Sequence, residues 1–481
     1  MFFNIISCCN LYIWYSFLII INFKSIFMKN RFILVFLLTF SVSFSQQVDF
    51  TEFDLENGLH VILHQDNTAP VVITSVMYDV GGKDREEGRT GFAHFFEHLL
   101  FEGSKNIGKG EFMKIIPANG GTFNANTSQD RTYYYDIFPS NKLELGLWLE
   151  SERMLHPVID QLAVDTQNEV VKEEKRQSYD RPYGKLLKVL WESLFKVHPY
   201  KDENIGRMED LDAATLDEFI AYFDKYYSPD NAVLVVAGDI EIEKTKSLVE
   251  KYFSEVKRRP GFTRNFPEEI PIIETEKVTA YDKNIQTPAI LAAYRMPGMA
   301  DRDAFVLDMI STYLSGGKSS ILYKKLVDKK KLALEASAIN LGQVDYNMFA
   351  FFLLPQGETS LDILLEEVDE EILKMQNELI SERDYQKLQN QFESQFVNSN
   401  SSVVGIASSL ATYYLLYDNV NLINEQIDIY RSITREEIQS VAQKYLSPNQ
   451  RVEIKYLPGE EVEEKSNEEI FVPVPENTNG E

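Results

Sequence analysis

Apolar positions change period along the chain, and those changes mark out its elements. Across GLHVILHQDNTAPVVITSVMYDVGG (58–82) two β-rich runs flank a polar turn, which predicts two strands. In GFAHFFEHLLFEG (91–103), Phe92, Phe95, Phe96, Leu99 and Leu100 fall at i, i+3, i+4, i+7 and i+8, a full apolar stripe that predicts a helix over 92–101. Helical spacing returns over 142–155 and, at greater length, over 162–179. Between the first two helices, GTFNANTSQDRTYYYDIF (121–138) reads as two extended runs joined by the turn-forming Ser128, Gln129 and Asp130.

One pattern occurs twice. TLDEFIAYFDKYYSPDNAVLVV from Thr215 returns in outline as TREEIQSVAQKYLSPNQRVEIKY from Thr434, 219 residues later, with Lys225, Tyr226, Ser228 and Pro229 matched by Lys444, Tyr445, Ser447 and Pro448. A helix-then-strand unit repeated at that distance predicts a duplicated domain, since solenoid periods are far shorter. The Pro-bearing stretch RRPGFTRNFPEEIPII is the expected linker. The predicted organisation is a leader (1–45), an N-terminal domain (46–257), the linker (258–273), a C-terminal domain (274–459) and a flexible acidic tail (460–481).

A length of 481 residues suits two domains of about 200 residues each. The formal net charge of -26 gives a surface that repels nucleic-acid phosphates and anionic lipid, so neither is expected as a partner. The leader changes the picture more. MKNRFILVFLLTFSVSFSQQ from Met28 has a basic start at Lys29 and Arg31, an apolar run and the small residues Ser43 and Ser45, the layout of a secretory signal peptide. A signal peptide starting there favours Met28 over Met1 as the start of the protein. The apolar segment ISCCNLYIWYSFLIIINF before it could otherwise be a short membrane span. Cys8 and Cys9 both lie in that segment, so the exported chain would carry no disulfide, no Cys nucleophile and no cysteine ligand. The expectation is a periplasmic or secreted protein without stable membrane insertion.

The predicted helix at 92–101 spends its apolar stripe on the core, which leaves His94, Glu97 and His98 on the other face. Side chains four residues apart on a helix project side by side, so both imidazoles can reach one cation, and Glu97 can hold a water on it. The order is H-x-x-E-H, the inverse of H-E-x-x-H. Zinc catalysis normally takes three protein ligands, and DTQNEVVKEEKRQSY supplies Glu169, Glu173 and Glu174 as acids. Glu174 is chosen because it follows Val170 and Val171 by four and three residues, on the inward face; Glu169 and Glu173 share a face with Arg176 toward solvent. SGGKSS (315–320) lacks the glycine of a phosphate loop at Thr312 and reads as a turn. His60, His64, His156 and His198 have no partner pattern and are expected to be structural or exposed.

HFFEHLLFEGSKN, GGTFNANTSQD, NEVVKEEKRQSYDRPYGK and YYSPDNAVLVVAGD together resemble the M16 peptidases, which include pitrilysin, insulin-degrading enzyme and the mitochondrial processing peptidase; the chain is closest in character to the processing-peptidase-like members. The resemblance spans roughly residues 49–459. In that family the third ligand follows the second histidine by 76 residues, and Glu174 stands 76 after His98. The resemblance implies one Zn2+ per chain on His94, His98 and Glu174, with Glu97 as general base. It also implies an α+β fold of two homologous domains, each an antiparallel β-sheet flanked by α-helices, closing around a chamber. Asn124, Ala125 and Asn126 match the family's active-site strand, onto which an extended peptide adds itself.

Two positions depart from the family pattern. Gln167 stands where members often carry a glutamate, and Val327 and Leu334 stand where complete enzymes carry an arginine and a tyrosine that hold substrate and oxyanion. The resemblance therefore implies an exported zinc metalloendopeptidase acting on extended peptides or unfolded proteins, with an M16-like partner subunit supplying the Arg and Tyr. A second reading is a peptide-binding or assembly subunit whose zinc is structural, for which Glu97→Gln would be silent. A third, a lyase resembling the S-ribosylhomocysteine lyases, fails on length, export and the absence of a cysteine ligand.

Overall fold

The computed structural model describes residues 47–459. The leader with its signal peptide, Cys8 and Cys9, and the acidic tail lie outside the described residues.

The N-terminal half builds a six-stranded sheet from β1 (Thr51–Asp54), β2 (His60–Gln65), β3 (Val71–Tyr78), β4 (Thr122–Thr127), β5 (Thr132–Pro139) and β6 (Ala232–Gly238), in the order β1-β2-β6-β3-β5-β4. The C-terminal half builds a five-stranded sheet from β7 (Glu276–Asp282), β8 (Ala289–Pro297), β9 (Ala333–Leu341), β10 (Tyr346–Pro355) and β11 (Arg451–Pro458), in the order β7-β11-β8-β10-β9. Without β1 the two orders are the same. The expectation of antiparallel sheets needs one correction, because β2 pairs with β6 in parallel and so does β7 with β11. The late strand is inserted between the two arms of an antiparallel pair, so it must run parallel to one arm and antiparallel to the other. A long helical connection makes that insertion possible, where a tight hairpin could not.

The repeated sequence pattern produces the same local device in both halves. Thr215 and Thr434 each open a helix, Leu216–Tyr226 and Arg435–Tyr445, with a reciprocal capping box to Glu218 and Glu437. Each helix is followed by a short 3-10 turn started by proline and then by the inserted strand.

Helices pack on both faces of each sheet, and the two halves exchange cover. The inner face of the N-terminal sheet buries Val61, Leu63, Val76, Leu234 and Val236 under the helices Phe92–Leu99, Leu143–Leu155 and Leu216–Tyr226. Its other face, with Ile62, Ile73, Met77, Val233 and Val235, is covered by Ile406, Ala407, Leu410 and Ala411 of the C-terminal helix Val403–Tyr417. Reciprocally, Leu190, Trp191 and Leu194 of the N-terminal helix Leu186–Leu194 lie on Leu291, Ala293, Met348 and Ile454 of the C-terminal sheet. Residues 258–273 carry no helix or strand, but Arg264 pairs with Asp79 and Asp84 at 2.6 Å each, and Glu269 pairs with Arg295 at 3.2 Å. Among the described residues no helix is long and apolar enough to cross a membrane.

Candidate metal centre

The helix Phe92–Leu99 is held in place by aromatic packing. Phe92 stacks on Phe219 with ring centres 4.5 Å apart, and Phe96 lies against Tyr222 at 5.5 Å and Tyr227 at 5.1 Å. Phe92, Phe95, Phe96, Leu99 and Leu100 are all buried, so the predicted stripe is the stripe that packs. The chain enters this helix through Gly91 at φ 85°, where a Cβ would come within 2.7 Å of the Ile205 carbonyl oxygen; only glycine fits both conditions. The opposite face presents His94 and His98, with ring centres 4.9 Å apart.

The second helix, Gln161–Tyr179, starts at an Asp160 cap and carries Glu174 about a turn and a half from its end. Glu174 Oε2 lies 3.3 Å from His98 Nε2 and 3.7 Å from His94 Nε2, and one ligand atom from each of the three lies within 4.8 Å of the others. Four tetrahedral ligand atoms at about 2.1 Å from a zinc ion stand roughly 3.4 Å apart, so this donor set fits that ion. Charge and protonation fit it as well. Burial, reinforced by the neighbouring His98, pushes the His94 imidazole down to about 4, so it is neutral at neutral pH with a lone pair to give. The His98 ring 3.3 Å away outweighs partial burial and holds the Glu174 carboxyl low, hence ionised.

Glu97 sits beside this group. Its Oε2 accepts a 2.7 Å hydrogen bond from the Thr127 hydroxyl, at the end of β4. Burial pushes the Glu97 carboxyl up, and the Thr127 bond, His98 and Arg131 pull against that.

β4 forms the outer edge of the sheet and pairs with β5 alone. Its side chains alternate: Phe123 and Ala125 turn toward the core, while Asn124 and Asn126 are exposed. The N–H of Ala125 is taken by the Asn124 side chain at 2.9 Å rather than by β5, which puts it on the open edge. Arg131 donates back to the carbonyl and side-chain oxygens of Asn126 and so closes the turn.

The structure thus brings His94, Glu97, His98 and Glu174 together beside the edge strand with Asn124, Ala125 and Asn126. Of the two valines expected to mark the inward face before Glu174, only Val171 is buried. Val170 is 44% exposed, and the inward face of that helix is marked by Val171 and Lys175 instead. Glu173 bonds Arg176 and Gln177, and Glu169 bonds Lys172, all toward solvent. Gln167 hydrogen-bonds Glu102. Val327 packs half-buried against the C-terminal core, and Leu334, at the start of β9, is 56% exposed. His60 bonds Asp54 at 2.7 Å, His64 the Asp49 carbonyl at 2.7 Å, and His198 approaches Asp345 at 3.5 Å. Sequence reasoning missed Thr127 and Arg131; the alternation in TFNANT, which puts Thr127 on the face of Phe123 and Ala125, was the signal that could have found the first.

Comparison with known proteins gives a consistent result. Residues 60–206 match the family model described as Insulinase (Peptidase family M16), and residues 213–392 match Peptidase M16 inactive domain. The chain is 28% identical over 400 residues to zinc protease PqqE of Helicobacter pylori, covering 82% of this chain and 90% of that one. It is 24% identical over 394 residues to an uncharacterized zinc protease of Rickettsia felis, covering 82% and 94%. Among solved structures it superposes on a protease from Helicobacter pylori with a TM-score of 0.80 at 27% identity, over 85% of this chain and 99% of that chain. The periplasmic protease PqqL from Escherichia coli shares the fold, with a TM-score of 0.74 at 18% identity over 86% of this chain and 48% of that one.

Proposed function

Because the chain belongs to the M16 (insulinase) family of peptidases, we propose that it is a zinc metalloendopeptidase that cuts extended peptides or unfolded proteins at a single metal. The observation that carries this reading is the meeting of His94, His98 and Glu174 within 4.8 Å, next to Glu97 and an open sheet edge. The three would hold one zinc ion. When bound, zinc supplies Lewis acidity: it polarises the scissile carbonyl and brings the pKa of a water to about 7.

The remaining chemistry belongs to this chain's side chains and backbone. Glu97 takes a proton from the attacking water and delivers it to the nitrogen of the departing amine; burial, which raises its carboxyl, suits it to both halves of that task. The outer edge of β4, at Asn124, Ala125 and Asn126, offers backbone hydrogen bonds to a peptide in extended form, which selects for unfolded chain more than for one side chain. Val327 and Leu334 supply no donor for the tetrahedral oxyanion, and this supports a two-subunit enzyme whose partner brings Arg and Tyr. The signal-peptide layout at Met28 supports export.

Unstructured peptides incubated with the full chain, alone and with an M16-like partner, test the reading. Cleavage should stop with a chelator, return with zinc and be abolished by Glu97→Gln with zinc still bound. Cleavage undiminished in Glu97→Gln would leave a binding or assembly role with a structural zinc.

A further inference from the structure

The geometry points to Thr127 as a positioning residue that ties the orientation of Glu97 to the strand that receives the substrate; this rests on the reading of Glu97 as the general base. A glutamate side chain has three rotatable bonds, and a carboxylate used as a base must keep one oxygen aimed at the water throughout the reaction. In Glu97, Oε2 is committed to the Thr127 hydroxyl at 2.7 Å, while Oε1 has no hydrogen-bond partner among the described residues. The hydroxyl therefore donates to one oxygen, fixes the plane of the carboxylate and leaves the other oxygen to take the proton.

Thr127 can act as such an anchor because its own backbone is fixed from several sides. It stands opposite Thr132 on β5, and its carbonyl accepts from Asn204 Nδ2 at 3.1 Å. The following turn is closed by Ser128 N–H to the Arg131 carbonyl at 2.9 Å, and the buried Gln129 side chain bonds the Asp202 carbonyl at 2.8 Å. Thr127 is also the last residue of β4. A peptide added to the open edge of β4 stiffens the strand whose end holds the base, so substrate docking and base alignment meet at one residue.

The test compares Thr127→Val, Thr127→Ser and Glu97→Gln in the full chain, with its partner if activity requires one. Valine keeps the shape and strand preference and removes only the hydroxyl. Thr127→Val should lower kcat by about tenfold or more while KM stays within about twofold, with zinc content and Tm unchanged. Thr127→Ser should restore kcat, and Thr127→Ala serves in its place if the valine variant does not fold. A Thr127→Val enzyme with kcat within about twofold of the wild type, or with KM raised and kcat unchanged, would overturn the assignment while Glu97→Gln stays inactive. Full activity in Glu97→Gln would instead remove the general-base reading beneath it.

Discussion

At the scale of single residues, the site depends on which of three neighbouring acids faces the histidines. Glu174→Gln should weaken zinc binding by one to two orders of magnitude, read by competition with a chromophoric chelator, because it removes an anionic ligand. The Glu173 carboxylate bonds only Arg176 and Gln177 among the described residues, so Glu173→Gln should bind zinc as the wild type does. The histidine pair was legible in the sequence because a helix with a full apolar stripe leaves its other positions outside the core, and His94 and His98 are spaced to share that side. Glu174 does not owe its position to Val170: apolar Val170 points outward and cationic Lys175 inward, where its ammonium meets the Gly206 carbonyl and Glu203, an inversion that helical periodicity alone does not reveal. Thr127 was hidden for a different reason. Its hydroxyl meets Glu97 across 30 positions of sequence, and that distance is closed only by the packing of a strand end on a helix.

At the scale of elements, β4 is the part that couples fold to substrate. Pro at an edge-strand position whose N–H faces outward costs the sheet little. Ala125→Pro should therefore leave Tm within a few degrees, yet raise KM for extended peptides by about tenfold, the worth of one hydrogen bond. An unchanged KM would move the substrate off this edge. The paired capping boxes make a second prediction: Thr215→Ala and Thr434→Ala should each cost about 1 kcal/mol in denaturant unfolding, and by similar amounts, since each removes the hydroxyl that accepts from the Glu218 or Glu437 backbone N–H while leaving the return bond to the cap N–H in place. That a helix precedes each inserted strand was legible from the repeat; the capping boxes that start those helices were not read from it. The parallel pairing of β6 and β11 was not, because strand order depends on where a long connection returns and leaves no local mark.

At the scale of the molecule, the halves are joined by more than a linker. Each outer sheet face is covered by a helix from the other half, and at the junction the ammonium of Lys83 bridges Asp130 at 2.9 Å and Asp345 at 2.8 Å. Tyr200 reaches into the same cluster, donating to Asp130 and accepting from the Asp345 backbone N–H. Burial pushes the Asp345 carboxyl up, but the nearby His198 ring, 3.5 Å away, and Lys83 outweigh it and hold the group well below the usual carboxylate range. A carboxyl depressed in the folded state contributes stability above its unfolded pKa of about 3.9 and loses it as pH falls through the folded value. Stability should therefore slope downward below about pH 4, and Asp345→Asn should flatten that slope; an equal slope in the variant would place the acid sensitivity elsewhere. Two homologous halves were readable from one repeated stretch. Their exchange of cover was not, because the helices Leu186–Leu194 and Val403–Tyr417 carry apolar faces that do not say which sheet they will meet.

The most direct measurement on the central claim is the coordination of the metal itself, by X-ray absorption on the full chain loaded with zinc. The account predicts one zinc per chain with two imidazole nitrogens and light oxygen ligands, and loss of one oxygen ligand in Glu174→Gln. Sulfur in the zinc shell, which would implicate Cys8 or Cys9, or a spectrum unchanged by Glu174→Gln, would contradict it.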